Sequence, residues 1–239
     1  MTSNNEGLNG VGNSGNDGGG NIASNDPLIA GVILSNEELI YNKLCELYPH
    51  ELKPITELSR NTTGNRDFIC SPILGLDFDH VLNVSDKYAD PSNEKSPDSV
   101  FYYNSTLYFI EFKEGDCNKI DIRTKIHEAI NTLYMFVLKY LPDISRQDFF
   151  DLNIFYGVFA RDLKANLSNS AFRAALNNSS QKFNLRNIEG MIVKKTKYST
   201  NPQYIVDFLS KVTNGQVSQI DVFEYLKQPN VYITFNAST

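Results

Sequence analysis

The chain has 239 residues, with 28 acidic side chains against 22 basic ones and a formal charge of −6. Hydrophobic residues make up 41% and charged residues 21%, the composition of a globular protein and not of a disordered or fibrous one. The acidic excess argues against coating nucleic acid by bulk electrostatics, which depends on Lys and Arg, but leaves room for a local basic cleft. No apolar run reaches the about 18 residues of a membrane helix, and the polar first residues lack the basic-then-apolar order of a secretion signal. Cys45, Cys70 and Cys117 form no CxxC pair, so no disulfide framework or zinc site is expected, and a reducing cytoplasm is the expected compartment.

Residues 1–26 are Gly, Asn, Ser and Asp with almost nothing apolar, which predicts a disordered tail ahead of a single domain over 27–239. Ser35 can cap a helix over 35–48, with Glu38 three residues on and Pro49 as the stop. Residues 49–66 read as irregular connection, 67–84 as extended, and 85–97 as a polar loop. Asp98–Tyr103 and Thr106–Lys113 are rich in Val, Phe, Tyr and Ile and read as a hairpin about Asn104-Ser105. Ile122, Ile126, Ile130, Leu133 and Val137 form one stripe of a long helix over 119–140. Leu152–Ala160 is almost wholly apolar, as expected of a central strand covered on both faces. A helix near 168–177 follows. Strand-like pieces at Met191–Val193 and Val231–Phe235 and helical pieces at Tyr204–Val212 and Asp221–Leu226 complete a C-terminal extension over 165–239. The order predicts an α/β fold, with helices on a mixed central sheet.

The hairpin carries the chemistry. A turn centred on Asn104-Ser105 sets Tyr103 opposite Thr106, and in the same register Asp98 opposite Glu111. Opposed residues project to one face with Cβ atoms about 5 Å apart, and Lys113, two residues beyond Glu111, joins them. Two carboxylates side by side on a greasy hairpin need compensation, and a divalent cation such as Mg²⁺ (or Mn²⁺) supplies it. Asp98 and Glu111 are the expected ligands, with the backbone carbonyl of Phe112 as a third. Lys113 would orient a water and stabilise charge on a phosphate.

These residues resemble the two half-motifs of the PD-(D/E)XK nuclease superfamily: Pro97-Asp98, then Glu111-Phe112-Lys113. The string Leu107–Gly115 is similar to that of uncharacterised bacterial members with an IEFK-type motif, whose next helix carries a Lys-Ile pair like Lys125-Ile126. The resemblance covers residues 35–160. It implies a restriction-endonuclease-like core of order α-β-β-β-α-β and metal-dependent cleavage of phosphodiesters, DNA in preference to RNA. It implies a setting in phage defence, restriction or a mobile element. It also implies a catalytic polar residue from the long helix, for which Lys125 is the match, and a supporting metal-ligating acid from the first helix. Glu46 is the candidate there, since capping already accounts for Glu38. Arg123 and His127 flank Lys125 as phosphate contacts or solvated residues.

Asp77 and Asp79 share a strand face, and Asp79-His80 is a weak metal pair. The basic run Lys194-Lys195-Thr196-Lys197, with Lys182 and Arg186 upstream, is by default a solvated face and otherwise a phosphate-backbone contact. No GxSxG elbow or GxxxxGK[ST] loop occurs, so serine-nucleophile chemistry and ATP binding are not expected. Two further readings compete with a nuclease: a catalytically inactive fold kept as an interaction scaffold, through a homodimer or a partner protein, and a hydrolase of nucleotides or RNA ends, which needs less basic surface.

Overall fold

The computed structural model describes residues 34–61, 64–82, 95–114, 119–161, 182–191, 193–224 and 231–238. The chain divides into Met1–Ile33 and a compact unit Leu34–Thr239, and all described residues belong to the second. The expected tail over 1–26 and the helix near 168–177 lie outside the described residues.

Helix α1 (Asn36–Leu47) starts where Ser35 accepts the Glu38 amide at 3.2 Å. The segment expected to be irregular instead forms strand β1 (Leu52–Pro54), a one-turn helix α2 (Ile55–Leu58) and strands β2 (Arg60–Asn61) and β3 (Arg66–Asp67). Elements this short carry no readable period, and tertiary partners set them: β1 pairs antiparallel with β5 (Leu74–Leu76), and Ile55 is fully buried. Of the extended 67–84 stretch, β5 enters the central sheet, while β4 (Ile69–Cys70) joins a smaller one.

Strands β6 (Ser99–Tyr102) and β7 (Leu107–Glu114) form the expected hairpin. Asn104 and Ser105 have φ of 46° and 51°, the positive pair of a two-residue I′ turn, and the Tyr103 amide donates to the Thr106 carbonyl at 3.1 Å. Ser99 faces Ile110 and Tyr102 faces Leu107, the expected register. Helix α3 (Lys119–Tyr140) then returns the chain so that β8 (Ile154–Arg161) pairs parallel with β7, a connection that requires such a crossover. A short α4 (Arg146–Asp151), with a Ser145/Asp148 capping box, precedes β8. Strand β9 (Lys195–Ser199) pairs parallel with β8, which completes a mixed six-stranded sheet of order β1-β5-β6-β7-β8-β9.

Helix α5 (Pro202–Val212) is followed by β10 (Gln219–Glu224) and β11 (Val231–Asn236). The helical expectation for Asp221–Leu226 is therefore corrected. Gln219–Glu224 is extended, with Ile220, Val222 and Phe223 buried, and pairs with both β11 and β4. Of the strand-like piece Met191–Val193, residue 192 lies outside the described residues and Val193 makes an isolated bridge to Glu189.

Alternation along β7 and β8 divides the core. Leu107, Phe109, Tyr156 and Val158 face one cluster with Ile40, Leu44, Ile126 and Leu133 from α1 and α3. Tyr108, Ile110, Phe112, Phe155 and Phe159 face the other, with α5 and the small sheet. Odd-numbered β7 residues thus point to the α1/α3 side. That parity sends Glu111 into the first cluster.

Candidate functional site

Glu111 is fully buried, with 0% exposure, on β7, which with β8 is one of the two eight-residue strands of the sheet. β7 outruns β6 at this end, because the β6 pairing stops at Ser99 opposite Ile110. Asp98 is the next residue beyond β6, and its Oδ2 accepts the Phe112 amide at 2.5 Å. From α3, Lys125 reaches back to place its Nζ 2.7 Å from Glu111 Oε1 and 3.8 Å from Asp98 Oδ1. Lys113 Nζ sits 2.6 Å from the same Glu111 oxygen. The hairpin and α3 therefore bring together Asp98, Glu111, Lys113 and Lys125, the four residues expected to be catalytic.

Two further charged residues, Asp121 and Lys95, surround this cluster. Asp121 lies one helical turn before Lys125 and is 4.0 Å from Lys113, while Lys95 Nζ holds Asp121 Oδ1 at 2.6 Å. The i,i+4 spacing of Asp121 and Lys125 was the readable signal. Tyr156 was also missed; it lies on the strand beside Glu111 and on the same face. Its hydroxyl and Glu111 Oε2 are buried without a hydrogen-bond partner among the described residues.

Electrostatics follow from burial and crowding. Burial, then the charge of Glu111, pushes the Asp98 carboxyl well above the ordinary carboxylate range. Lys125, the Phe112 amide and Lys113 pull the other way without offsetting this. Burial works to lower the Lys113 ammonium, but the charge and hydrogen bond of Glu111, with Asp98 and Asp121, outweigh it and hold Lys113 above its usual value. The Lys95 hydrogen bond holds Asp121 low. Burial, then the negative field of Glu111, Asp98, Asp121 and Asp79, raises the Tyr156 phenol.

The remaining candidates fall elsewhere. Glu46 is 63% exposed and ion-paired with Lys43 at 2.7 Å. The buried stripe of α1 runs through Glu37, Ile40 and Leu44, and Leu39, which served as the reference for turning Glu46 inward, is itself exposed. Glu46, two residues beyond Leu44, therefore faces solvent. Glu38 accepts the Tyr102 hydroxyl at 3.1 Å, and buried Glu37 accepts the Asn153 amide at 2.8 Å. His127 is exposed and Arg123 half-buried. Asp79 accepts the Ser96 hydroxyl and is not paired with His80. Instead Glu51, Asp77 and His80 bring ligand atoms within 4.8 Å of one another. Lys53 already bridges that cluster, 2.8 Å from Glu51 and 2.7 Å from Asp77.

The donor set at Glu111 suits a hard divalent cation: oxygen atoms only, one of them a buried carboxylate oxygen without a hydrogen-bond partner among the described residues, beside a second carboxylate. The fold and site together define an α/β protein with a mixed six-stranded sheet and an acid–lysine cluster where β7 outruns its antiparallel neighbour. Comparison with protein-family models, with curated proteins and with solved structures gave no match. No described helix is long and apolar enough to cross a membrane.

Proposed function

We propose that this protein is a metal-dependent phosphodiester hydrolase with a restriction-endonuclease-like core, acting on nucleic acid and on DNA in preference to RNA. The observation that carries the reading is the fully buried Glu111, gripped through one oxygen by Lys113 and Lys125, with its other oxygen unpartnered and Asp98 alongside. The order α1, β5, β6, β7, α3, β8 supports it, since it follows the α-β-β-β-α-β succession of that core.

Asp98, Glu111 and the Phe112 carbonyl would hold Mg²⁺ or Mn²⁺. A bound cation supplies Lewis-acid polarisation of the phosphate and lowers the pKa of a water. Lys113, charged and a quarter exposed, is placed to contact a non-bridging phosphate oxygen and offset the charge that grows there. Lys125 is a positioning residue that fixes the Glu111 rotamer. Asp121, 4.0 Å from Lys113, is placed to orient its ammonium.

The test is cleavage of single- and double-stranded DNA and of RNA by purified protein with Mg²⁺ or Mn²⁺. Asp98→Ala, Glu111→Ala and Lys113→Ala each abolish it while the far-UV circular dichroism is kept. Cleavage that survives in all three removes the assignment. A second reading is favoured by the balance of Asp98, Glu111 and Asp121 against Lys95, Lys113 and Lys125, which already neutralises the cluster. In that reading the cluster is structural and the protein a scaffold. Calorimetry with Mn²⁺ separates the two, because a structural cluster takes up no ion.

A further inference from the structure

A concave site lies on the face of the sheet opposite Glu111, at the other end of β7. It has a volume of about 550 Å³, within the range of about 300–1,000 Å³ found for small-molecule pockets. Tyr108 and Phe155 form its floor from the start of β7 and β8. Both belong to the core cluster opposite the one that takes Glu111's neighbours. Helix α5 adds a wall from Tyr204 and Phe208, whose rings stack at 6.2 Å. The rim is cationic: Lys194, Lys195 and Lys197 from the edge strand β9 and the residue before it, and Lys211 from α5.

Charge distinguishes this rim from an ordinary solvated edge. Lysines on an edge strand often serve only to block strand pairing. Here lysines from two elements line one cavity, in a chain whose net charge is −6, and of these the Lys194 ammonium donates to the Phe150 carbonyl at 3.3 Å. The one acid in the lining, Asp207, is already engaged by the Ser238 amide at 2.7 Å and the Gln203 side chain at 3.1 Å. None of the four lysines forms an ion pair among the described residues. Lys197 lies over the Tyr204 ring, 5.0 Å from its centroid, so cation and aromatic surface already adjoin.

We infer that this pocket binds a nucleotide, its phosphate among Lys195, Lys197 and Lys211 and its base against Tyr204 and Phe208. Ammonium groups recognise phosphate as point charges, and aromatic faces accept any base by stacking. An acidic peptide would meet the cations but leave the aromatic wall without a planar partner. The nucleotide can be free or can be the end of a single strand, since both present the same chemistry. The inference stands apart from the hydrolase reading, because none of Asp98, Glu111 or Lys113 lines the pocket.

The experiment is equilibrium binding in EDTA, so that cleavage cannot contribute, with adenosine monophosphate and with a fluorescein-labelled single-stranded oligothymidylate as separate probes. The expected result is saturable binding of at least one probe, lost by about tenfold or more in Lys195→Glu/Lys211→Glu. For the strand, that variant also lowers the log–log salt slope by about 1.4. Tyr204→Leu weakens binding with the salt slope unchanged. Because Lys195 and Lys211 are exposed, the double variant keeps the fold even if Tyr204→Leu does not. Binding of both probes identifies free nucleotide as a ligand, and binding of the strand alone identifies a strand end. Failure of both probes, an unaltered affinity in the double variant, or equal competition by inorganic phosphate overturns the inference. Glu111→Ala retains full binding, so loss of the hydrolase reading and loss of this one are separately visible.

Discussion

Replacing Lys125 with Met keeps the aliphatic stem and removes one of the two cations paired with Glu111. At an effective dielectric of about 20, the gross attraction across 2.7 Å to Glu111 is about 6 kcal/mol, and across 3.8 Å to Asp98 about 4 kcal/mol. Most of this offsets the desolvation of the three groups. Breaking a buried pair costs about 3–5 kcal/mol net. Lys113 still holds Glu111 at 2.6 Å, which places Lys125→Met at or below the lower end, about 2–3 kcal/mol. Solvent screening discounts this only slightly, since Lys125 is 15% and Glu111 0% exposed. For a folded body of this size the melting temperature falls by about 4–12 °C. Urea denaturation of wild type, Lys125→Met, Glu111→Gln and the double variant gives the cycle. The double variant recovers most of the loss, with a coupling energy of about 2 kcal/mol. Lys125→Met within about 0.5 kcal/mol of wild type at neutral pH refutes the reasoning, because Glu111 then needs only Lys113.

At Gly75 an added Cβ meets Phe101 Cζ at 2.5 Å and Leu58 Cδ1 at 2.9 Å, so Gly75→Ala lowers stability by about 1–3 kcal/mol in a denaturant melt. Ser105, at φ 51°, occupies the second left-handed position of the hairpin turn, and Ser105→Gly raises stability by about 0.5–1 kcal/mol in the same assay. The folded protein holds the Asp98 proton more tightly than the unfolded chain does. The contribution of Asp98 to stability is therefore greatest below the ordinary carboxylate range and is lost as pH rises toward its raised folded value. Metal-free thermal melts from acid to neutral pH accordingly show Asp98→Asn gaining on wild type as pH rises; a gap constant with pH removes the assigned shift.

Legibility in the sequence tracked the length and periodicity of each segment. The hairpin was readable because Asn104-Ser105 tolerates left-handed backbone and the flanking runs are β-branched and aromatic, and one correct turn delivered the Asp98–Glu111 juxtaposition. Lys119–Tyr140 and β8 were readable for the same reason: each repeats one pattern over many residues. The 49–66 region was not, since β1 and α2 owe their form to β5 and to burial of Ile55 and Leu58. Glu46 was misplaced because its face was reckoned from Leu39, whose apolar side chain stays exposed. Tyr156 was hidden inside an apolar run, where sequence does not show that its hydroxyl is buried within the field of Glu111 and Asp98. The pocket under the lysine run depends on α5 folding back against β8, a long-range fact absent from any local pattern.

The Phe112 amide gives the site a built-in reporter. Its proton goes to a side-chain carboxylate at the point where β7 has outrun β6. Its nitrogen-15 chemical shift and its hydrogen-exchange rate therefore follow the state of Asp98 directly. A single isotope-labelled phenylalanine backbone position can register protonation, ion uptake or side-chain rotation at Asp98 without any substrate, and so can be read before the chemistry is known.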